Sequence, residues 1–158
     1  MNKIHFSSKS DDWKTPVGLF NKLNTKYSFE LDAAASEDNA KCLNFYTEQD
    51  NALLKDWSKD AKSIFLNPPY GRQIHAFVKK AYEESLKGCV VVCLIPARVD
   101  TQWWYNYVRK ATKIVFLTGR LKFSNSASGA PFPSCIIVFD NSCNEQSILW
   151  EKTSDYKE

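Results

Sequence analysis

The sequence lacks the marks of a metal centre, a disulfide scaffold or a membrane protein. Its five cysteines, Cys42, Cys89, Cys93, Cys135 and Cys143, are an odd set without the paired Cys-x-x-Cys spacing of a zinc site. No secretory signal precedes them, so reduced thiols and a bacterial or host cytoplasm are expected. Cys89 and Cys93, four apart in "GCVVVCLIP", share one face of a strand and read as small core residues; no metal is expected. The longest apolar run, from Cys89 to Pro96, falls far short of the ~20 residues a bilayer span needs. Neither histidine, His5 or His75, has a partner that marks it as a general base. There are no repeats or low-complexity tracts. A net charge of +3 permits a nucleic-acid partner without arguing for one.

What is present is a chain of single-domain length, 158 residues, with enough apolar sequence for a core. Its aromatic share is 14% with five Trp, so stacking surfaces are plentiful. Residues 1–12 are polar and aperiodic and read as a flexible arm ahead of one catalytic domain, 13–158. "TPVGLFNKLNTKY" predicts a helix with Thr15 as N-cap, Pro16 in its first position and Val17, Phe20 and Leu23 on one face. Tyr27, Phe29 and Leu31 alternate into Asp32 as a strand would, and Ser36 opens a short helix. "LNFYT" is a candidate strand, followed by a loop with one helical turn.

Further on, "SIFL" predicts a buried strand and "RQIHAFVKKAYEESLKG" an amphipathic helix with Lys79, Glu83 and Lys87 as charge neighbours. "CVVVCLIPA" is a strand, "TQWWYNYVRKA" a helix capped by Asp100 or Thr101, and "KIVFLTG" and "SCIIVFDN" two more strands. Trp103 and Trp104 read mainly as packing residues. Strand and helix alternate, which argues for an α/β, mostly parallel sheet with helices on both faces. The Ser-, Gly- and Pro-rich stretch 119–134 is too long for a tight turn and is a candidate functional loop.

The sharpest chemical signal is "SIFLNPPYGR". Two prolines cannot continue a ladder, so the strand stops at Asn67. Asn67, Pro68, Pro69 and Tyr70 then stand together at the carboxyl edge, where open α/β sheets hold their ligands. A conjugated amine is a poor nucleophile. Two acceptors aimed at its N–H bonds, the Asn67 side-chain oxygen and the Pro68 carbonyl, favour the tetrahedral nitrogen that attacks an electrophile. Tyr70 offers a ring on which a base can stack. Asn-Pro-x-Tyr also reads as a bare strand-ending turn or as a linear motif bound by adaptor domains. Linear motifs sit in flexible polar segments, however, and this one adjoins an apolar strand.

Taken in order, "DDWKTP", "FELDAAAS", "FYTEQDNAL", "LNPPYG", "LIPARVDTQWW" and "GRLKF" through "APFPSCIIVF" resemble the phage and prophage DNA N-6-adenine methyltransferase family, often called Dam-like. The resemblance covers most of residues 11–140. It implies a compact Rossmann-like methyltransferase fold with an antiparallel last strand, S-adenosylmethionine as cofactor, and DNA as partner. It also implies Thr15 and Pro16 beside the methionine part, Asp32 and Ala33 at the end of the first strand, and Asp50 facing the adenine or ribose. Asn67 would border both cofactor and target. One departure stands out: Ala33, Ala34 and Ala35 replace the family's glycine-rich turn.

A base within a duplex must be flipped out to reach such a site. Phe123 is a candidate second wall for it, beside Tyr70, and Arg72, Arg98, Arg120 and Lys122 are candidate phosphate contacts. Little chain follows Tyr70 for a separate recognition domain, so sequence specificity is expected to be short, loop-borne or partner-supplied, with the 119–134 loop as the leading candidate. The same amino-group chemistry fits an RNA base or a protein glutamine amide, and a non-catalytic nucleic-acid-binding or adaptor module would retain the fold without turnover.

Overall fold

The computed structural model describes residues 11–157; His5 and most of the expected arm lie outside them. Helix α1 (Val17–Tyr27) begins one residue later than expected, with Pro16 as its N-cap and the Pro16 carbonyl accepting from Phe20 N–H at 3.1 Å. Thr15 does not cap it, because its hydroxyl is engaged by Asn67. Leu19, Phe20 and Leu23 form the buried face, while Val17 stays half exposed.

The helix runs through Tyr27 and stops at Ser28, whose left-handed φ of 50° reverses the chain. The strand expected from Tyr27 is thereby cut to β1 (Leu31–Asp32). Phe29 instead packs against Phe20 and Phe65, at centroid distances of 5.6 and 5.4 Å, a tertiary contact that overrides local alternation. The helix expected from Ser36 is a single turn, in which Asn39 and Ala40 N–H donate to the Ser36 carbonyl.

Strand β2 (Asn44–Phe45) precedes a 3-10 turn at Ala52–Leu54 and the short helix α2 (Trp57–Asp60). Strand β3 (Ser63–Leu66), helix α3 (Ile74–Ser85) and strand β4 (Val90–Pro96) follow as the apolar patterns predict. Helix α4 (Gln102–Asn106) is capped by Thr101, whose side chain accepts from Trp104 N–H. Strands β5 (Lys113–Thr118), β6 (Ser134–Asp140) and β7 (Ser147–Lys152) complete the sheet.

The order across the sheet is β2-β1-β3-β4-β6-β5-β7. Every described pairing is parallel except those of β6, which runs against both β4 and β5. The antiparallel strand expected at the end is thus β6, and β7 follows it in parallel with β5. Helices cover both faces. Phe65, Val92 and Val138 share one face by register, and Phe20 of α1 meets Phe65 edge-on at 5.2 Å. Phe139 lies on the other face, where Tyr82 of α3 packs at 5.8 Å.

Burial of the strands as near-continuous apolar runs supplies the core, as two-sided cover requires. Cys89, Cys93 and Cys135 are small core residues there. On α3 the buried charge is Glu84. It accepts from Ser58 N–H at 2.9 Å and pairs with Lys80 at 3.0 Å and Lys87 at 2.8 Å, tying α3 to α2.

Candidate active site

Strand β3 carries the chain to the rim and the two prolines turn it, leaving Asn67 at the carboxyl edge beside β1. The Asn67 amide Nδ2 donates to the Trp13 carbonyl at 2.5 Å and to Thr15 Oγ1 at 2.9 Å. A carbonyl can only accept, so the group facing Trp13 must be the amide nitrogen. Asn67 Oδ1 consequently points the other way. It is buried, and no described group partners it. Such an acceptor costs about 1–3 kcal/mol unless something supplies a donor. Among the described residues the Pro68 carbonyl likewise accepts no hydrogen bond.

The strap over residues 11–15 closes one side. Asp11 carbonyl accepts from Tyr70 N–H at 2.9 Å, and Asp12 carbonyl accepts from Asn125 Nδ2 at 2.7 Å. Lys14 N–H donates to Asn125 Oδ1 at 3.0 Å, while Ser124 N–H donates to the Lys14 carbonyl at 2.9 Å. Asp11 and Asp12, assigned to a free arm above, are therefore fastened between the Asn-Pro-Pro-Tyr turn and the 119–134 loop. Gly71 allows the approach: its φ is 139°, and a Cβ there would meet the Asp11 carboxylate at 2.6 Å.

A cavity of about 220 Å³ opens beneath this strap. Thr15, Asp32 and Asn67 line it, together with Lys14, Asp38 and Lys41. Asp32, 3% exposed, ends β1; its two oxygens accept from Ala34 N–H at 3.3 Å and Lys41 N–H at 3.0 Å. Burial pushes its carboxyl up to about 6 despite those bonds. The turn without glycine is explained here. Among the described residues the only non-glycine positive φ values are at Ser28 and Asn51, so Ala33 to Ala35 turn with ordinary dihedrals while Asp32 secures their backbone. A second hollow, about 350 Å³, lies by the β2 edge between Leu43, Tyr46 and Asp60; it shares no lining residue with the first, and among the described residues it has no buried side-chain polar atom without a partner.

Not every expected residue joins the cavity. Thr15, Asp32 and Asn67 do; Pro16 and Ala33 are one residue removed from the lining residues Val17 and Ala34. Asp50 is exposed and folds back on Thr47, accepting from its N–H at 2.8 Å and its hydroxyl at 3.0 Å, which holds its carboxyl below the usual range. It is a turn acid and does not line the cavity.

Tyr70 and Phe123, expected as walls for a base, are 2% and 1% exposed. The Tyr70 hydroxyl donates to the Leu94 carbonyl at 3.0 Å, and its ring meets Phe123 and Phe132 edge-on at 6.2 and 5.6 Å. In this arrangement Tyr70 presents no open stacking face; Phe123 and Phe132 pack against it, and Trp13 packs against those two rings in turn. Pro68 is buried and Pro69 half buried. Arg72, Arg98, Arg120 and Lys122 are all exposed on loops that follow β3, β4 and β5 at the same rim. Asp38, Lys41 and Lys14 were missed, since they lie in polar turns whose role appears only when the chain folds back over Asp32.

A mostly parallel sheet with one reversed strand thus carries at its carboxyl rim a polar cavity and, before two prolines, a buried unpartnered acceptor. Solved structures share the fold at low identity. A modification subunit assigned to a type I restriction enzyme from Vibrio vulnificus YJ016 superposes with a TM-score of 0.55 at 12% identity, over 90% of this chain and 47% of that one. A protein from Listeria monocytogenes assigned to the class I S-adenosylmethionine-dependent methyltransferases gives 0.50 at 14%, over 87% and 54%. The family model for DNA N-6-adenine-methyltransferase (Dam) matches residues 4–154, and the chain belongs to that family.

Among its relatives is the DNA N-6-adenine-methyltransferase of Haemophilus phage HP1, 35% identical over 142 residues, 84% of this chain and 80% of the relative. Another is the enzyme of the same name from Escherichia phage T1, 38% identical over 112 residues. That match covers 70% of this chain but only 46% of the T1 protein, so the chain spans about half the length of that relative.

Proposed function

We propose that the chain transfers a methyl group from S-adenosylmethionine to the exocyclic amino nitrogen of adenine in DNA. The observation that carries this is the carboxamide oxygen of Asn67, buried and unpartnered on a residue that lines the same cavity as Asp32. Asn67 Oδ1 and the Pro68 carbonyl accept the two amino hydrogens and favour a pyramidal nitrogen. This geometry is reached in the transition state, so the two bonds tighten there and lower the barrier. As the nitrogen–carbon bond forms, the methyl carbon's bond to the sulfonium sulfur would break and leave a neutral thioether, and the nitrogen would then give up one proton to solvent; no general base is needed before transfer.

The cavity's donor set fits the amino-acid end of the cofactor. Asp32 is an anion suited to an ammonium, Lys14 and Lys41 suit a carboxylate, and Val17 and Ala34 give apolar wall. When bound, S-adenosylmethionine supplies an electrophilic methyl carbon on a sulfonium. Arg72, Arg98, Arg120 and Lys122 meet phosphates on the rim, and the 119–134 loop, which holds Phe123 and Phe132, gives what sequence choice there is. Seating a base against Tyr70 requires Phe132 to move aside. The test offers labelled cofactor to duplex DNA, RNA and protein separately: label in DNA alone supports the reading, and label only in RNA or in protein glutamine refutes it.

A further inference from the structure

We propose that Thr15 and the Trp13 backbone carbonyl are positioning groups that lock the Asn67 carboxamide with its oxygen facing the amine to be methylated. This rests on the reading of Asn67 as the acceptor for that amine. A free carboxamide can rotate by half a turn and present two donors where the reaction needs an acceptor; a donor facing the amino N–H bonds would repel the nucleophile instead of activating it. Here both amide hydrogens are consumed. One goes to Trp13 O at 2.5 Å and the other to Thr15 Oγ1 at 2.9 Å. Flipping would set Asn67 Oδ1 against the Trp13 carbonyl, two acceptors with no hydrogen between them, so one rotamer is selected before any ligand arrives.

Thr15 is suited to the task because it is held on both sides. It is 5% exposed, and its own carbonyl accepts from Ser124 Oγ at 3.1 Å. The strap that carries Trp13 is pinned to Tyr70 and to Asn125, so the lock is assembled by three separate stretches of chain. Thr15, which also lines the cavity, thereby acts on the reaction through Asn67, a role beyond the one its family resemblance implies. The same geometry distinguishes asparagine from aspartate at position 67: a carboxylate would place an oxygen against Trp13 O.

Three variants of the full chain, Thr15→Val, Thr15→Ser and Asn67→Asp, separate the possibilities. With one of two locking bonds gone, Thr15→Val should lower kcat roughly 5- to 10-fold, as expected for one hydrogen bond. KM for S-adenosylmethionine should change less than about twofold, and Thr15→Ser should recover most of the loss. Asn67→Asp should lose at least about 100-fold, like loss of a transition-state hydrogen bond. In the free protein, the Asn67 side-chain amide protons should be resolved and slow to exchange by NMR, and should lose that protection in Thr15→Val. An unchanged kcat in Thr15→Val, a rise in KM for the cofactor with kcat intact, or an Asn67→Asp enzyme of full activity overturns the proposal. If Thr15→Val does not fold, the wild-type amide decides alone, and fast exchange there overturns it. Absence of any methyl transfer by the wild type refutes the activity instead, and the NMR result stands apart from it.

Discussion

Replacing Asn67 by alanine separates what this residue does for the reaction from what it does for the fold. Alanine removes the oxygen that receives an amino hydrogen in the transition state, and loss of one such bond costs about 2.7–4 kcal/mol, or 10²–10³ in rate. Stability responds differently. The variant abolishes a buried acceptor without a partner, a gain of about 1–3 kcal/mol, and removes the two hydrogen bonds Asn67 gives to the Trp13 carbonyl and the Thr15 hydroxyl, about 0.5–1.5 kcal/mol each. The two nearly cancel, so the thermal midpoint should move by no more than a few degrees, at about 2–4 °C per kcal/mol for a chain of this size. Single-turnover methyl transfer on an adenine-containing duplex, alongside thermal unfolding, reads both quantities. Unaltered turnover would remove Asn67 from the mechanism. A drop in rate that merely tracks the lost folded fraction would reduce it to a structural residue.

Asp32 predicts a pH dependence. Its carboxyl is held up at about 6 by burial, above its unfolded value, so protonated Asp32 favours the fold at low pH and that contribution is lost as pH rises through about 6. A cofactor ammonium needs the ionised form; affinity for S-adenosylmethionine, measured by calorimetry, should therefore fall up to about tenfold per unit below pH 6, and a flat profile between pH 5 and 7.5 would exclude Asp32 as its partner. Glu84→Ala removes a buried carboxylate that holds two lysines and the Ser58 amide; discounting for the half-exposed Lys87, urea unfolding should show a loss of about 2 kcal/mol. Phe123→Ala should cost about 3–5 kcal/mol because the ring is almost wholly buried; a loss under 1 kcal/mol would show that the ring packs loosely.

The parts legible in the sequence are those whose signal is local. "SIFL" before two prolines fixes both a strand and its end, and the spacing of Ile74, Phe77, Val78 and Ala81 yields α3 at nearly its observed bounds. Strand β7 escaped because it lies at the sheet edge, where Ile148, Leu149 and Trp150 remain exposed and no burial pattern is imposed. Strand β1 was read too long because Tyr27 and Phe29 alternate as strand residues do, while the chain is still helical at Tyr27.

Within the site, Asn67 and Asp32 were legible from residue type and position. The strap was not: its bonds to Tyr70, Asn67 and Asn125 are made by backbone carbonyls and the Lys14 N–H, main-chain groups that no motif records. Asp50 is ambiguous for the converse reason, since an acid after a short strand reads alike whether it faces a ligand or closes its own turn, as it does here on Thr47.

The central claim is that Asn67 and Pro68 activate an adenine amino group for methyl transfer. Its most direct test is to incubate the protein with unmodified duplex DNA and S-adenosylmethionine labelled in the methyl group, digest to nucleosides, and identify the labelled species by mass. The account predicts label in N6-methyldeoxyadenosine, lost in Asn67→Ala. Label on a cytosine or guanine atom, or label in adenine that survives Asn67→Ala undiminished, would contradict it.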